Sequence, residues 1–338
     1  MTTNSHPGLN KAGRATAMVA AVVVSALTVV QSRINGQLGK ELDDGILAAW
    51  ISFVIGLVAI VVIVVASKRH RKAVGVLRDA VRKKPGRGRL IAPWELLGGL
   101  GGATFVAAQS TTVQYLGVAV FTVAVVAAQN ANSLVVDRVG LGPAGVQAIT
   151  SRRVVAAIIA TAGVALAVSS RASDGDFKFA ALIFALIAGL LIAVQQALNG
   201  QVAATSGSPF VAGLGNFVVG FVGLSFAVVI YQLVSPHQIG QFPSPIDDPW
   251  IYVGGFIGVL FIVVAASVVH SLGVLLFALL SIVGQMGGAL ILDIVVRDPN
   301  EPVNLLRVLG VAITGGAVAL AATAKQGVRR EDVAIPND

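Results

Sequence analysis

Ten apolar runs, each of about 20 residues, divide the chain: 17–39, 45–66, 94–112, 117–136, 153–170, 179–201, 209–233, 250–269, 273–294 and 304–323. At 1.5 Å per residue, about 20 residues of helix cross the roughly 30 Å hydrocarbon core of a bilayer. Lipid offers no partner to a backbone N–H or C=O, so a span must satisfy its own hydrogen bonds, which a helix does. Only 12% of the 338 residues are charged, where a soluble domain carries about 25%. The mean hydropathy is +0.85. The pattern predicts an all-α polytopic membrane protein of about ten transmembrane helices. Only Val113-Gln114-Tyr115-Leu116 separates the third and fourth runs, and an equally short piece separates the eighth and ninth. Both pairs are expected to be tight helical hairpins.

The charges assign the two sides. Ten of the 24 basic residues lie between Lys68 and Arg89, in a connection between spans. With the N-terminus inside, inside segments hold 18 Lys and Arg and outside segments hold 5. Cytoplasmic loops carry such an excess, so both termini are expected in the cytoplasm. The net charge of +8 is then a topology signal. No basic module with interleaved aromatics points to nucleic acid. The 68–89 segment instead suits contact with anionic lipid. With no Cys, disulfides and thiolate chemistry are excluded, and four scattered His do not form a metal site. No cofactor motif is read: the Gly-rich pieces lack the Gly-Lys-Ser/Thr of a phosphate loop. No set of catalytic residues falls at membrane depth, so no enzyme is expected.

The chain also repeats itself. Val30-Gln31-Ser32-Arg33-Ile34-Asn35-Gly36-Gln37 reads against Val194-Gln195-Gln196-Ala197-Leu198-Asn199-Gly200-Gln201 at an offset of 164, continuing to Phe53/Phe217 and Gly56/Gly220. At an offset of 156, Trp94 meets Trp250, Gly98-Gly99 meets Gly254-Gly255, Gly102 meets Gly258, Phe105 meets Phe261, Phe121 meets Phe277, Gln129 meets Gln285 and Asp137 meets Asp293. Polar, Trp and Gly matches at one offset are not a by-product of apolar low complexity. Each unit holds five spans, an odd number, so the second enters the membrane from the opposite side. The expected organisation is a tail at 1–16, a first five-helix repeat at 17–170 with its basic loop at 68–92, an inverted repeat at 179–323 and a tail at 324–338. Inverted repeats are a recurrent plan of secondary transporters.

The Val-Gln-x-x-x-Asn-Gly-Gln segment followed by a Phe-Val-x-Gly helix resembles the YdcZ-type exporters of the drug/metabolite transporter superfamily. Both copies are present, at 30–37 with 53–56 and at 194–201 with 217–220. The resemblance spans nearly all of 17–323. It implies a ten-helix bundle that moves small molecules across a bacterial inner membrane, and it carries no particular substrate. The related small multidrug resistance proteins bind protons and cations through a first-helix Glu. The first and sixth spans here have none.

Amides are then the informative groups inside the spans. Gln31 and Asn35 share a helix face, as do Gln195 and Asn199. The first pair sits toward the outside and the second toward the cytoplasm, as two alternate gates or as hydrogen bonds between helices. Gln129 and Gln285 fall near mid-span, where an amide suits a neutral or weakly charged polar substrate or ties helices together. Asn130 flanks Gln129, and Gln109, Gln196 and Asn216 are further candidates for the same cavity. Arg33, the only charge inside a span, either snorkels to the headgroups or contacts an anion or an outer gate. Asp137 and Asp293 are read as interfacial caps or partners of Arg138 and Arg297, with proton coupling as the alternative. His270 at a turn is a further proton-carrier candidate. Gly98-x-x-x-Gly102 and Gly254-x-x-x-Gly258 are faces for close helix packing.

Together these readings predict a secondary transporter for a small polar or cationic metabolite, its partners being that small molecule and the bilayer. An uncoupled channel and a non-transporting membrane partner protein are the alternatives. Substrate, coupling ion, direction and oligomeric state are not read from the sequence.

Overall fold

The computed structural model describes residues 11–82, 91–168, 179–236 and 238–296, with 305, 308–310, 312, 313 and 316 beyond them. The described residues are helical wherever they are regular: α1 Lys11–Glu41, α2 Gly45–Ala66, α3 Lys68–Val81, α4 Gly98–Val139, α5 Ser151–Val168, α6 Phe179–Ser206, α7 Pro209–Val234, α8 Gly254–Leu272 and α9 Val274–Val296. Five segments among the described residues are long and apolar enough to cross a membrane: Ala12–Glu41, Gly45–Ala66, Phe179–Ser206, Pro209–Val234 and Pro249–Val269. Seven residues of the tenth run, 304–323, are described, and all are helical. The rest of that run lies outside the described residues, as does the C-terminal tail.

The third and fourth runs have no non-helical link between them. Residues 113–116 are helical, and α4 is assigned without a gap over 42 residues. A straight helix would part Phe105 from Phe121 by about 24 Å, yet their ring centroids lie 5.9 Å apart. Gly98 and Gly142, at the two ends, both abut α6, against Leu198 and Ala197. The segment therefore turns back on itself, and both of its limbs pack on α6. The second pair behaves alike: Phe261 of α8 and Phe277 of α9 also stand 5.9 Å apart. There the reversal falls at Gly273, whose φ of +78° an L side chain rarely adopts.

The basic connection is partly a helix. In α3 the apolar residues Ala73, Val74, Leu77, Ala80 and Val81 recur at helical spacing on one face. That face packs on Val202 and Ala203 of α6 and Ala212 of α7. Lys68, Arg69, Arg71, Lys72, Arg78 and Arg82 are all exposed. The dense charge disguised the segment as a loop, because its apolar stripe is only one side of four turns.

Close approach between α-helices rests on glycine, and the approaches come in exchanged pairs. A Cβ on Gly56 of α2 would fall 2.7 Å from Cζ of Phe217, and one on Gly220 of α7 would fall 2.9 Å from Cδ1 of Phe53. Gly99 would meet the backbone N of Gly220 at 2.9 Å, and Gly255 that of Gly56 at 2.8 Å. Gly98 abuts the Asn199 side chain, and Gly254 that of Asn35. Each contact maps onto its mate under the offsets of 164 and 156. In lipid, where apolar surface gains little from leaving its solvent, such backbone proximity supplies the packing energy.

Candidate functional site

α1, α2, α4, α6, α7, α8 and α9 enclose a central cavity. About 50 Å3 of it admits the centre of a water molecule, room for a few waters. Eighteen residues line it, and sixteen of them form eight pairs matched between the two halves. The pairs include Gln31 with Gln195, Ser52 with Asn216, Phe53 with Phe217, Phe105 with Phe261, and Gln129 with Gln285. Among the described residues that line it, none is ionisable.

Five of the amides singled out in the sequence reach this wall: Gln31, Gln129, Gln195, Asn216 and Gln285. The two glutamines expected at opposite gates thus share one cavity, while their helix-mates Asn35 and Asn199 do not line it. Asn35 Nδ2 donates to Gln109 Oε1 at 3.3 Å, and Gln109 Nε2 donates to Ser32 Oγ at 2.5 Å. Gln109 is fully buried and joins α1 to α4 rather than lining the cavity. Asn199 Nδ2 and Gln195 Nε2 both donate to Asn216 Oδ1, each at 2.9 Å. Gln129 Nε2 donates to Gln196 Oε1 at 3.4 Å, a long bond that leaves its orientation weakly fixed. Asn130 turns away, donating to Thr161 of α5 at 3.4 Å.

Arg33 is not at the cavity. It is exposed and lines an open groove at the end of α1 with Gln37, Lys40, Glu41 and Gln114. Asp137 is buried, but its ion-pair partner is Arg153 of α5, not Arg138. Its carboxylate also accepts the first N–H groups of α9, from Val274 at 3.1 Å and Leu275 at 3.2 Å. One carboxylate so ties α4, α5 and α9 together, with its charge placed favourably at a helix N-terminus. The side chains of His270 and Asp293 lie outside the described residues.

Sequence reasoning missed the aromatic walls. Phe53 and Phe217 meet with centroids 5.1 Å apart and their planes tilted by 49°, and Phe105 and Phe261 line the same space. Their signal was present, because each is matched across the repeat, but a Phe in an apolar span reads as packing. Thr28 and Ser52 were missed for a similar reason, since a small hydroxyl in a span is ordinarily satisfied by its own helix.

The comparisons with known proteins agree with this architecture. The family described as "Putative inner membrane exporter, YdcZ" matches the chain twice, over residues 16–166 and 180–320. The chain belongs to this family. The YdcZ family places it among multi-pass inner membrane transporters of the drug/metabolite transporter superfamily, and the two matches fall on the two halves read from the sequence. No curated protein matches it. A solved structure titled "Crystal structure of protein" superposes with a TM-score of 0.62 at 15% identity, covering 92% of this chain and 97% of that one. At that identity the likeness extends to the fold alone.

Proposed function

We propose that this YdcZ-family protein is a secondary transporter that exports a small, neutral, polar metabolite by alternating access between two inverted five-helix halves. The observation that carries this reading is the matched lining of the cavity. Eight residue pairs drawn from corresponding positions of both halves converge on one space. In inverted-repeat transporters the substrate site lies near the midplane at the interface of the repeats. The exchanged glycine contacts supply the mechanical part. Each half packs on the other through the same glycine and Phe surfaces, so the halves can trade conformations and open the cavity to the other side. Amides that donate and accept, set among Phe rings with no carboxylate among the described lining residues, suit an uncharged polar molecule better than a cation. Both termini and α3 face the cytoplasm in this reading, and the basic asymmetry of 18 to 5 supports it.

The test is counterflow in proteoliposomes. Purified protein is first screened by thermal shift against amines, amino acids, nucleosides and neutral amides, since a ligand that binds the folded state stabilises it. Vesicles preloaded with the best stabiliser should then accumulate labelled compound transiently above equilibrium. Simple equilibration without an overshoot would mean a channel. A second reading, an uncoupled carrier, is favoured by the amide, hydroxyl and apolar character of the described lining residues, none of them ionisable. Uptake indifferent to pH and Na+ gradients would select it.

A further inference from the structure

The two halves of the cavity match in shape but differ in chemistry. The first half contributes Gln31 and Ser52 to the lining, whereas at the matched positions of the second half Gln195 is bonded to Asn216. Asn216 Oδ1 is filled twice, by Gln195 Nε2 and Asn199 Nδ2. Two polar atoms of this group have no partner among the described residues: Gln195 Oε1, an acceptor, and Asn216 Nδ2, a donor. Gln195 is 1% exposed and Asn216 2%, and both line the cavity. Gly102 stands against them: a Cβ there would fall 2.7 Å from Gln195 Nε2 and 3.4 Å from Asn216 Nδ2. Its missing side chain opens the amide pair to the cavity.

Reversing the assigned ends of all three amides leaves the same inventory. Once the bonds within the group are made, one carbonyl and one amino group remain over. A buried donor and a buried acceptor left unmet are each costly, so the pair calls for a partner that presents the complementary pair. A planar cis-amide edge, –CO–NH–, offers an acceptor and a donor side by side. The Phe rings at 105, 217 and 261, which line the same space, suit the flat body that carries such an edge.

We propose that the second half of the cavity recognises the cis-amide edge of a neutral planar lactam-type molecule, Gln195 Oε1 accepting its N–H and Asn216 Nδ2 donating to its carbonyl, and that these two amides determine the specificity. This deepens the transporter reading and rests on it. The matched position in the first half, Ser52, cannot supply the same pair, so the site binds one edge on one side.

The experiment uses 2-pyridone, a planar lactam, and N-methyl-2-pyridone, which keeps the ring and the carbonyl and loses only the donor. Affinities for the purified full-length protein are measured by equilibrium dialysis with labelled probes. A site that hydrogen-bonds an N–H rejects the analogue lacking it, because its own acceptor is left buried and unmet. N-methylation is therefore expected to weaken binding at least about tenfold. Gln195→Met, which removes the acceptor of the probe's N–H at nearly constant volume, should bring the ratio close to one. Should that variant fail to fold, Asn216→Ser, the residue found at the matched position, removes the donor to the carbonyl that both probes share and should weaken both at least about tenfold. Equal affinity for the two probes, no binding of either, a ratio unchanged in Gln195→Met, or affinities unchanged in Asn216→Ser would overturn the assignment. Counterflow of a different compound alongside such a result would leave the transporter reading standing. Tight, selective 2-pyridone binding with no counterflow of any compound would instead remove the transporter reading and keep the amide site.

Discussion

Phe53 and Phe217 occupy the same position in the two copies of the repeat, 164 residues apart, and their rings meet with centroids 5.1 Å apart, tilted by 49°. Residues matched by a duplication touch one another only where the two copies meet. Each ring also covers the glycine beside its partner, Phe217 over Gly56 and Phe53 over Gly220. This contact ties the wall of the cavity to the seam between the halves, and four predictions follow the same seam outward.

Gly56→Ala places a methyl group within 3 Å of the Phe217 ring. Overpacking of this kind costs about 1–3 kcal/mol. The loss should appear as a lower midpoint in SDS-induced unfolding. Combined with Phe217→Leu the cost should be smaller than the sum of the two single changes, a coupling of about 1 kcal/mol. Strict additivity would mean that the ring and the glycine do not meet.

Asp137→Asn removes the charge that pairs with Arg153 while keeping one acceptor for the α9 N-terminus. A buried cation left without its partner costs about 3–5 kcal/mol. Arg153 retains 12% exposure at its side chain, which places the expected loss near the low end. Arg138→Gln, at a residue outside this pair, should change stability by less than about 0.5 kcal/mol. The same unfolding assay separates the two variants.

Cysteine labelling checks the topology directly, because the chain has no Cys of its own. Arg78→Cys on the exposed face of α3 should resist an impermeant reagent applied outside intact cells, and Asp247→Cys should react. Reaction at position 78 from outside would invert the assignment of sides.

Gln285→Leu keeps the shape of a side chain that lines the cavity. The variant should express and unfold like the parent, yet lose the thermal stabilisation given by any ligand the parent binds. A fold loosened by more than about 2 kcal/mol would show that this amide serves mainly as a link between helices.

Much of this architecture is legible in the sequence, because lipid imposes a simple rule on it. Every span must be a helix of about 20 apolar residues. Run lengths alone therefore located α2 to the residue, at 45–66. The same rule is silent where charge and helix coincide. α3 reads as a loop in the sequence because its five exposed cations hide an apolar stripe that makes sense only against Val202, Ala203 and Ala212. The hairpin of α4 was expected from its two apolar runs, but the expected linker at 113–116 is helical, since a turn can be made within a few residues once both limbs have α6 to lean on.

By itself the sequence determined that the chain enters lipid, that it is built twice from one unit, and which amides are carried at membrane depth. These properties depend on composition, spacing and repetition along one dimension. Only the tertiary structure decided which of those amides meet. Gln31 and Gln195 share a cavity, Gln109 is consumed by Ser32 and Asn35, and Asp137 pairs with Arg153 across sixteen residues rather than with its neighbour Arg138. The physical reason is that helix spacing fixes the face a side chain occupies but not the helix that comes to lie against it. In this protein that choice was made by glycines, whose missing side chains select the partner backbone able to approach.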